Sequence, residues 1–209
     1  LRDTQGSRYR RGVPGLRERK KQATRDALSW AAVRLTVERG WDSVLVEDIA
    51  DEAGVSPRTF NNYFSSKAEA IAFRHHNRFV LLADELRDRP AGEPLWDAIR
   101  AAALAVIDPT ESQAPDGWTA GVRMMTAHPA MIAEVAKATV DGELVIAAVI
   151  ADRIGASDPI YPRLVAAAFT AAFRISAEWW VQQERPGPIG PVVLAAIDRY
   201  AAGLPEPTG

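Results

Sequence analysis

The sequence predicts an all-α protein, and three observations carry that expectation. Apolar side chains recur at intervals of three and four along most of the chain, alternating β-type runs are absent, and alanine is abundant between clear breakers. Nothing repeats at a fixed period. The spacing predicts about nine helices, a compact three-helix unit in front and a larger helical region behind it.

Composition narrows the class further. A length of 209 residues with 47% hydrophobic content supports one large core or two modest ones. No run approaches 18 uninterrupted apolar residues, so no membrane span is expected. The first segment is polar and Arg-rich without an apolar stretch, unlike a signal peptide. With no cysteine there is no disulfide frame, thiolate nucleophile or thiolate metal site. A cytoplasmic protein is the expectation. The net charge of −2 hides an asymmetry: residues 1–25 hold nine Lys/Arg against two Asp/Glu, whereas residues 68–209 hold 12 against 18. A basic front and an acidic rear point to a polyanion at one end.

The elements follow in order. Residues 1–16 lack periodicity and read as a flexible basic arm. Its Arg8, Arg10 and Arg11, with Arg17, Arg19, Lys20 and Lys21 behind them, are candidates for phosphate or minor-groove contacts. From Arg17 to Arg39, Leu28, Ala31 and Leu35 recur at helical spacing, and Gly40 is a plausible stop. Val46, Ile49, Ala50 and Ala53 mark a short second helix with Glu47 and Asp48 in its first turn, where the dipole favours negative charge. Ser56 is a good N-cap with Pro57 at N1, and Phe60 and Phe64 share a buried face. Ser66, with Glu69 three residues on, opens a longer helix to about Arg87. Beyond the breaker-rich "RDRPAGEP", helices are expected at 94–107, 117–127, 129–155, 159–184 and 190–202. Residues 17–66 and 67–209 are the expected domains.

Counted from Val46, Ile49 stands at position 4, Ala50 at 5, Ala53 at 8, Gly54 at 9, Val55 at 10 and Phe60 at 15. That is the helix-turn-helix pattern: a small residue where helices cross, a glycine in the turn, and apolar residues holding the pair together. Such a unit lays its second helix in a DNA major groove. This explains an otherwise odd helix, "PRTFNNYF", rich in hydrogen-bonding groups. Arg58 suits guanine, Asn61 and Asn62 suit adenine, and the Thr59 methyl suits thymine. Tyr63 and Lys67 lie where phosphates would run, and Ser56 at the helix start joins the candidate DNA-binding residues.

The run "VEDIADEAGVSPRTFNNYFSSKAEAI" resembles the N-terminal domain of the tetracycline-repressor (TetR) family of bacterial regulators. The specific resemblance covers about residues 17–75. It implies a three-helix DNA-binding domain, a connecting fourth helix, and a divergent helical ligand-binding and dimerisation domain. It implies DNA contacts from Arg58, Thr59, Asn61, Asn62, Tyr63 and Lys67. It also implies a homodimer on double-stranded operator DNA, with a small apolar or amphipathic effector releasing a repressor. Two departures stand out. The usual hydroxyl cap of the second helix is replaced by Val44-Leu45, leaving Ser43 as the candidate in its place. Asn61 stands where an aromatic is common. The segments "RMMTAHPAMIAEVA" and "AAFRISAEWW" resemble an actinobacterial branch that includes regulators of mycofactocin-linked genes, which implies acyl-CoA-like ligands.

A ligand cavity is expected between residues 94 and 184. Trp96, Ile99 and Ala103 form one candidate wall, Trp118, Val122 and Met125 another, and Met131, Val135, Phe169 and Phe173 complete the apolar supply. Ordinary core accounts for any one of them. Arg123 and Arg174 are the basic candidates for an acidic head group. The dimer is expected through the last two helices, with Trp179, Trp180, Val193, Ile197 and Tyr200 available. No metal or cofactor site is expected: His75 and His76 diverge on a helix, and His128 before Pro129 reads as a boundary residue. An architectural, sequence-nonspecific DNA binder and a small helical enzyme, for example with Glu178 meeting a histidine, are the other readings.

Overall fold

The computed structural model describes residues 15–107, 124, 128–183 and 187–206. Among these residues there are eight helices and no strand. They are α1 (Leu16–Arg39), α2 (Val46–Glu52), α3 (Pro57–Asn61), α4 (Lys67–Asp88), α5 (Leu95–Val106), α6 (Pro129–Ile154), α7 (Tyr161–Val181) and α8 (Ile189–Ala201). The all-α expectation holds. The helix expected at 117–127 lies outside the described residues except for Met124.

Local chemistry sets the helix ends. Ser66 Oγ accepts from the Glu69 N–H at 3.1 Å and opens α4. His128 caps α6, its Nδ1 accepting from the Ala130 N–H at 3.3 Å, with Pro129 at the first position. The N-cap of α2 is Leu45, not Ser43, which stays exposed in the preceding turn. Leu45 has no side-chain acceptor, so half of the capping exchange is missing. The other half is made: Asp48 Oδ2 accepts from the Leu45 N–H at 2.8 Å.

Two apolar clusters organise the packing. The first joins α1, α2, α3 and the start of α4 around Leu28, Leu35, Ile49, Phe60 and Ile71. Met131 and Ala138 of α6 belong to it, with Val135 packed alongside, so the front of α6 helps to build the core of the three-helix unit. Ser29 Oγ ties α1 to α4 by donating to the buried Ala70 carbonyl at 2.6 Å. The second cluster lies between the rear of α4 and α5–α8, with Phe79, Ile99, Ile146, Phe169 and Val193 at its centre. Arg153, near the end of α6, donates to the carbonyls of Arg89 at 3.2 Å and Glu93 at 3.0 Å, pinning the link between α4 and α5.

Helix α7 is long and apolar enough, by length and composition, to cross a membrane. No run of apolar residues announced this; alanines raise the average. Its Val165, Phe169, Ala172, Trp180 and neighbours are buried against the rest of this chain, the packing of a core helix.

Candidate nucleic-acid interface

The turn between α2 and α3 is built as the pattern requires. Gly54 takes φ +68°, a backbone state that disfavours a side chain, and the Val55 N–H donates to the Ala50 carbonyl at 2.9 Å across the turn. Ala50 and Ile49 are fully buried where the helices meet. Phe60 is fully buried too, and its ring lies 5.8 Å from that of Phe64, so α3 is held by one face. Burial of one such ring contributes roughly 1.5–3 kcal/mol.

The opposite face of α3 is left to solvent. Arg58, Asn61 and Asn62 are exposed, and Thr59 and Tyr63 are half-exposed. Ser56 Oγ accepts from the Thr59 N–H at 3.1 Å and lies 2.9 Å from Thr59 Oγ1, so these two hydroxyls organise each other. Thr59, Asn62 and Tyr63 line one wall of an open groove whose other wall is the front of α1, with Arg17, Lys20, Lys21 and Thr24. Those four recur at i, i+3, i+4 and i+7, one face of a helix. Glu18 is the acidic member of the groove. The sequence places these basic residues in an arm; the structure unites Arg17, Lys20 and Lys21 with α3 in one groove and adds Thr24 to it. The helical spacing from Arg17 to Thr24 was the available signal. Arg19 is exposed on α1, and Arg8, Arg10 and Arg11 lie outside the described residues.

Lys67 is turned partly inward. Its Nζ donates to the Val44 carbonyl at 2.9 Å and to the Trp41 carbonyl, and sits 4.5 Å from the centre of the Trp41 ring. The other partner of Trp41 is His128, at 4.3 Å between rings. One ammonium therefore fastens the start of α4 to the α1–α2 loop, and Trp41 carries the link to α6. An ammonium has three donors, and two are used here.

The candidate cavity residues separate. Phe79, Leu82, Ala103, Phe169, Phe173 and Val193 surround an apolar cavity of about 30 Å³, with Arg78 on its wall. Ala103, Phe169 and Phe173 were expected there. Ile99 is fully buried in the same cluster and Trp96 packs on its edge, but neither borders the cavity. Met131 and Val135 are corrected: they pack in the core of the three-helix unit, because the front of α6 leans on α1 and α4. Trp118, Val122, Met125 and Arg123 lie outside the described residues. Arg174 is exposed and paired with Glu178 at 2.9 Å, so the basic side chain at the cavity is Arg78 of α4. His75 sits beside this wall, its Nε2 3.0 Å from Thr139 Oγ1 and its ring edge-on to Phe79. Burial first, then the charges of Arg78 and His76, push its pKa down to about 4.

The residues expected at the dimer surface divide: Trp179 is exposed and Tyr200 half-buried. Trp180, Val193 and Ile197 are buried in their own chain, and Trp180 Nε1 donates to the Gly187 carbonyl at 2.6 Å. Exposed apolar side chains on these helices include Leu164, Ile175 and Trp179 of α7 and Ile132, Val140 and Leu144 of α6. No group of three or more His, Asp or Glu residues placed to hold a metal ion occurs among the described residues.

Comparison with known proteins returns one picture. Residues 30–71 match the family described as bacterial regulatory proteins, tetR family, and residues 93–205 match the MftR C-terminal domain. The HTH-type transcriptional regulator TcmR of Streptomyces glaucescens is 33% identical over 190 residues, covering 87% of this chain and 84% of TcmR. The SmeT–triclosan complex superposes at TM-score 0.57 and 16% identity over 90% of this chain and 100% of that one. Thermus thermophilus FadR with lauroyl-CoA does so at TM-score 0.57 and 16% identity over 88% and 100%. At those identities the solved structures speak to the fold.

Proposed function

We propose a mechanism from the premise that the chain belongs to the TetR family of bacterial transcriptional regulators: it acts as a repressor that releases its operator when a small apolar or amphipathic ligand binds. The observation that carries the DNA-binding part is the groove shared by α3 and the basic front of α1. Arg58, Thr59, Asn61 and Asn62 meet base edges. Arg17, Lys20, Lys21, Tyr63 and the remaining donor of Lys67 meet phosphates, with Ser43 and Ser56 at the margin. Acting on DNA places the protein in the bacterial cytoplasm.

Two copies pair through the apolar stripe of α7, where Leu164, Ile175 and Trp179 are exposed and Ala168 and Ala171 allow close approach. A twofold dimer presents its recognition helices about 34–36 Å apart, one turn of DNA. Residues 17–66 are the DNA-reading unit and residues 67–209 the sensing and pairing unit.

The ligand site is the cavity on Phe79, Ala103, Phe169 and Phe173. Its volume of about 30 Å³ is far below the roughly 300–1,000 Å³ of a ligand pocket, so binding requires the aromatic cluster to open. Phe79 lies on α4, whose front belongs to the DNA-binding core. Opening the cavity therefore moves the helix that carries the reading head. Ligand and operator then favour different positions of α4, which is the differential binding that coupling requires. The acyl-CoA bound by FadR and the triclosan bound by SmeT are the chemistries to try first.

The test is selection of an operator from random duplex DNA, followed by titration with triclosan and lauroyl-CoA. Operator affinity should exceed that for unrelated DNA by about 10³-fold or more. Equal affinity for all sequences would instead support an architectural binder. A ligand that binds without changing operator affinity would defeat the switch and leave DNA binding standing.

A further inference from the structure

A second cavity lies on the other side of α4, where α1, α4 and α6 converge. Interhelical contacts are normally apolar, but this one is polar. It is lined by Arg25 of α1, by Glu69, Phe73 and His76 of α4, and by Glu134, Lys137 and Asp141 of α6, over about 140 Å³. The spacing shows design rather than accident of a single side chain. Residues 69, 73 and 76 share one face of α4, and 134, 137 and 141 share one face of α6. The two polar faces oppose each other.

The charges are mixed and only partly used. The Glu69 carboxylate is occupied, accepting from Ser65 N–H and Ser65 Oγ, each at 2.7 Å. Burial raises its pKa, but those hydrogen bonds and the charges of Lys137 and Arg25 outweigh it, and the group stays ionised below the usual range. Arg25 lies with its guanidinium 4.2 Å from the Phe73 ring centre and 5.4 Å from that of Phe64. Its Nε and the Nδ1 of His76 are shut off from solvent and make no hydrogen bond among the described residues. Buried polar atoms are ordinarily paired, and this junction carries two that are not. Arg25, Lys137, Glu134 and Asp141 make no ion pair with one another within 4 Å.

The packing holds the space open. Farther along the same pair of helices, Gly142 lets α6 close onto α4 so tightly that a Cβ there would meet the Phe79 ring at 2.2 Å. The two helices also pack where Met131 and Ala138 join the front core and where His75 Nε2 lies 3.0 Å from Thr139 Oγ1, and the polar gap opens to one side of that seam.

We propose that this junction binds a small zwitterion of the α-amino-acid type, at a site separate from the apolar cavity. Its carboxylate pairs with Arg25, Lys137 and His76, and its ammonium with Glu134 and Asp141. Two cationic side chains against three carboxylates disfavour a simple anion. A guest bearing both charges satisfies both faces. Phe73, Ala72 and Ala138 form the apolar part of the wall, against which an aliphatic side chain packs.

The experiment titrates the full-length protein with each of the twenty standard L-amino acids by isothermal calorimetry and by amide chemical shift. Acetate and methylammonium serve as half-ligands. At least one amino acid should bind with Kd below about 1 mM, with both half-ligands weaker by about tenfold or more. Shifts should centre on residues 69–76 and 134–141. Lys137→Gln and Asp141→Asn change exposed side chains, so the fold is retained, and each should weaken binding by about tenfold. No binding of any amino acid at about 10 mM overturns the proposal. So does acetate binding as tightly as the amino acid, or full affinity in the K137Q/D141N double variant. Operator binding without ligand is measured separately, so failure here leaves the DNA-binding reading untouched.

Discussion

Gly142 lies against Phe79 so closely that a Cβ on residue 142 would stand 2.2 Å from the ring Cδ2 and 2.8 Å from the Phe79 Cβ. Turning the ring relieves the first contact but not the second. Gly142→Ala gains up to about 1 kcal/mol of helix propensity. The overpacking should cost about 1–3 kcal/mol and more than cancel that gain, because Phe79 is hemmed in by His75 and Phe169. Urea unfolding gives the net sign, and a variant more stable than wild type would refute the contact's importance.

Arg58→Ala should weaken binding to a selected operator by about 1–3 kcal/mol and leave affinity for unrelated DNA nearly unchanged. Fluorescence anisotropy on both duplexes measures this. An equal loss on both would make Arg58 a phosphate contact rather than a reader of bases.

Lys67→Met should act twice. Losing the bonds to the Trp41 and Val44 carbonyls should destabilise the fold by about 1.5–3 kcal/mol. Losing the third donor should make the slope of log K against log salt shallower by about 0.9. Thermal unfolding and a salt titration separate the two effects; an unchanged melting temperature would remove the structural role.

The low pKa of His75 sets a direction for acid stability. Its folded value is about 4 against 6.5 for the free side chain, so the unfolded chain binds the extra proton first. Stability is complete above pH 6.5 and falls as pH drops toward 4, by about 2 kcal/mol between pH 7 and pH 5. His75→Gln should flatten that part of the profile. A wild-type profile already flat from pH 7 to pH 5 would count against a neutral, buried His75.

Leu164→Glu and Trp179→Glu should each weaken dimer formation by about 2 kcal/mol or more, since both place a carboxylate in the proposed apolar seam. Light scattering at micromolar concentration should then report monomers. Trp180→Phe, inside the chain's own core, should leave the dimer intact. A wild-type monomer would reject the interface outright.

The helices were legible because their signals are local. The capping serine of α4, Pro129 behind its boundary histidine and the turn glycine Gly54 each act within a few residues of themselves. The exposed face of α3 was legible for the same reason: Phe60 and Phe64 define its buried back, so Arg58, Asn61 and Asn62 fall on the solvent side. What escaped depends on which helix meets which. Met131 and Val135 have the chemistry of cavity lining, yet the lean of α6 sends them to the other core. Trp180, Val193 and Ile197 look like interface residues until α7 and α8 are seen to pack on one another. Lys67 reads as a phosphate contact, and nothing near it in sequence announces the carbonyls of Trp41 and Val44.

The position of Met131 has a consequence for how the molecule can be divided. It is fully buried with side chains of α1–α4 that stand more than fifty residues before it in the chain. A fragment cut after α4 would carry a socket where that thioether belongs. The reading head is thus no detachable module on a stalk. Its integrity is lent by α6, and the front and rear of the chain should melt as one cooperative unit, so damage behind α4 should loosen the three-helix unit even when every residue of α3 is untouched.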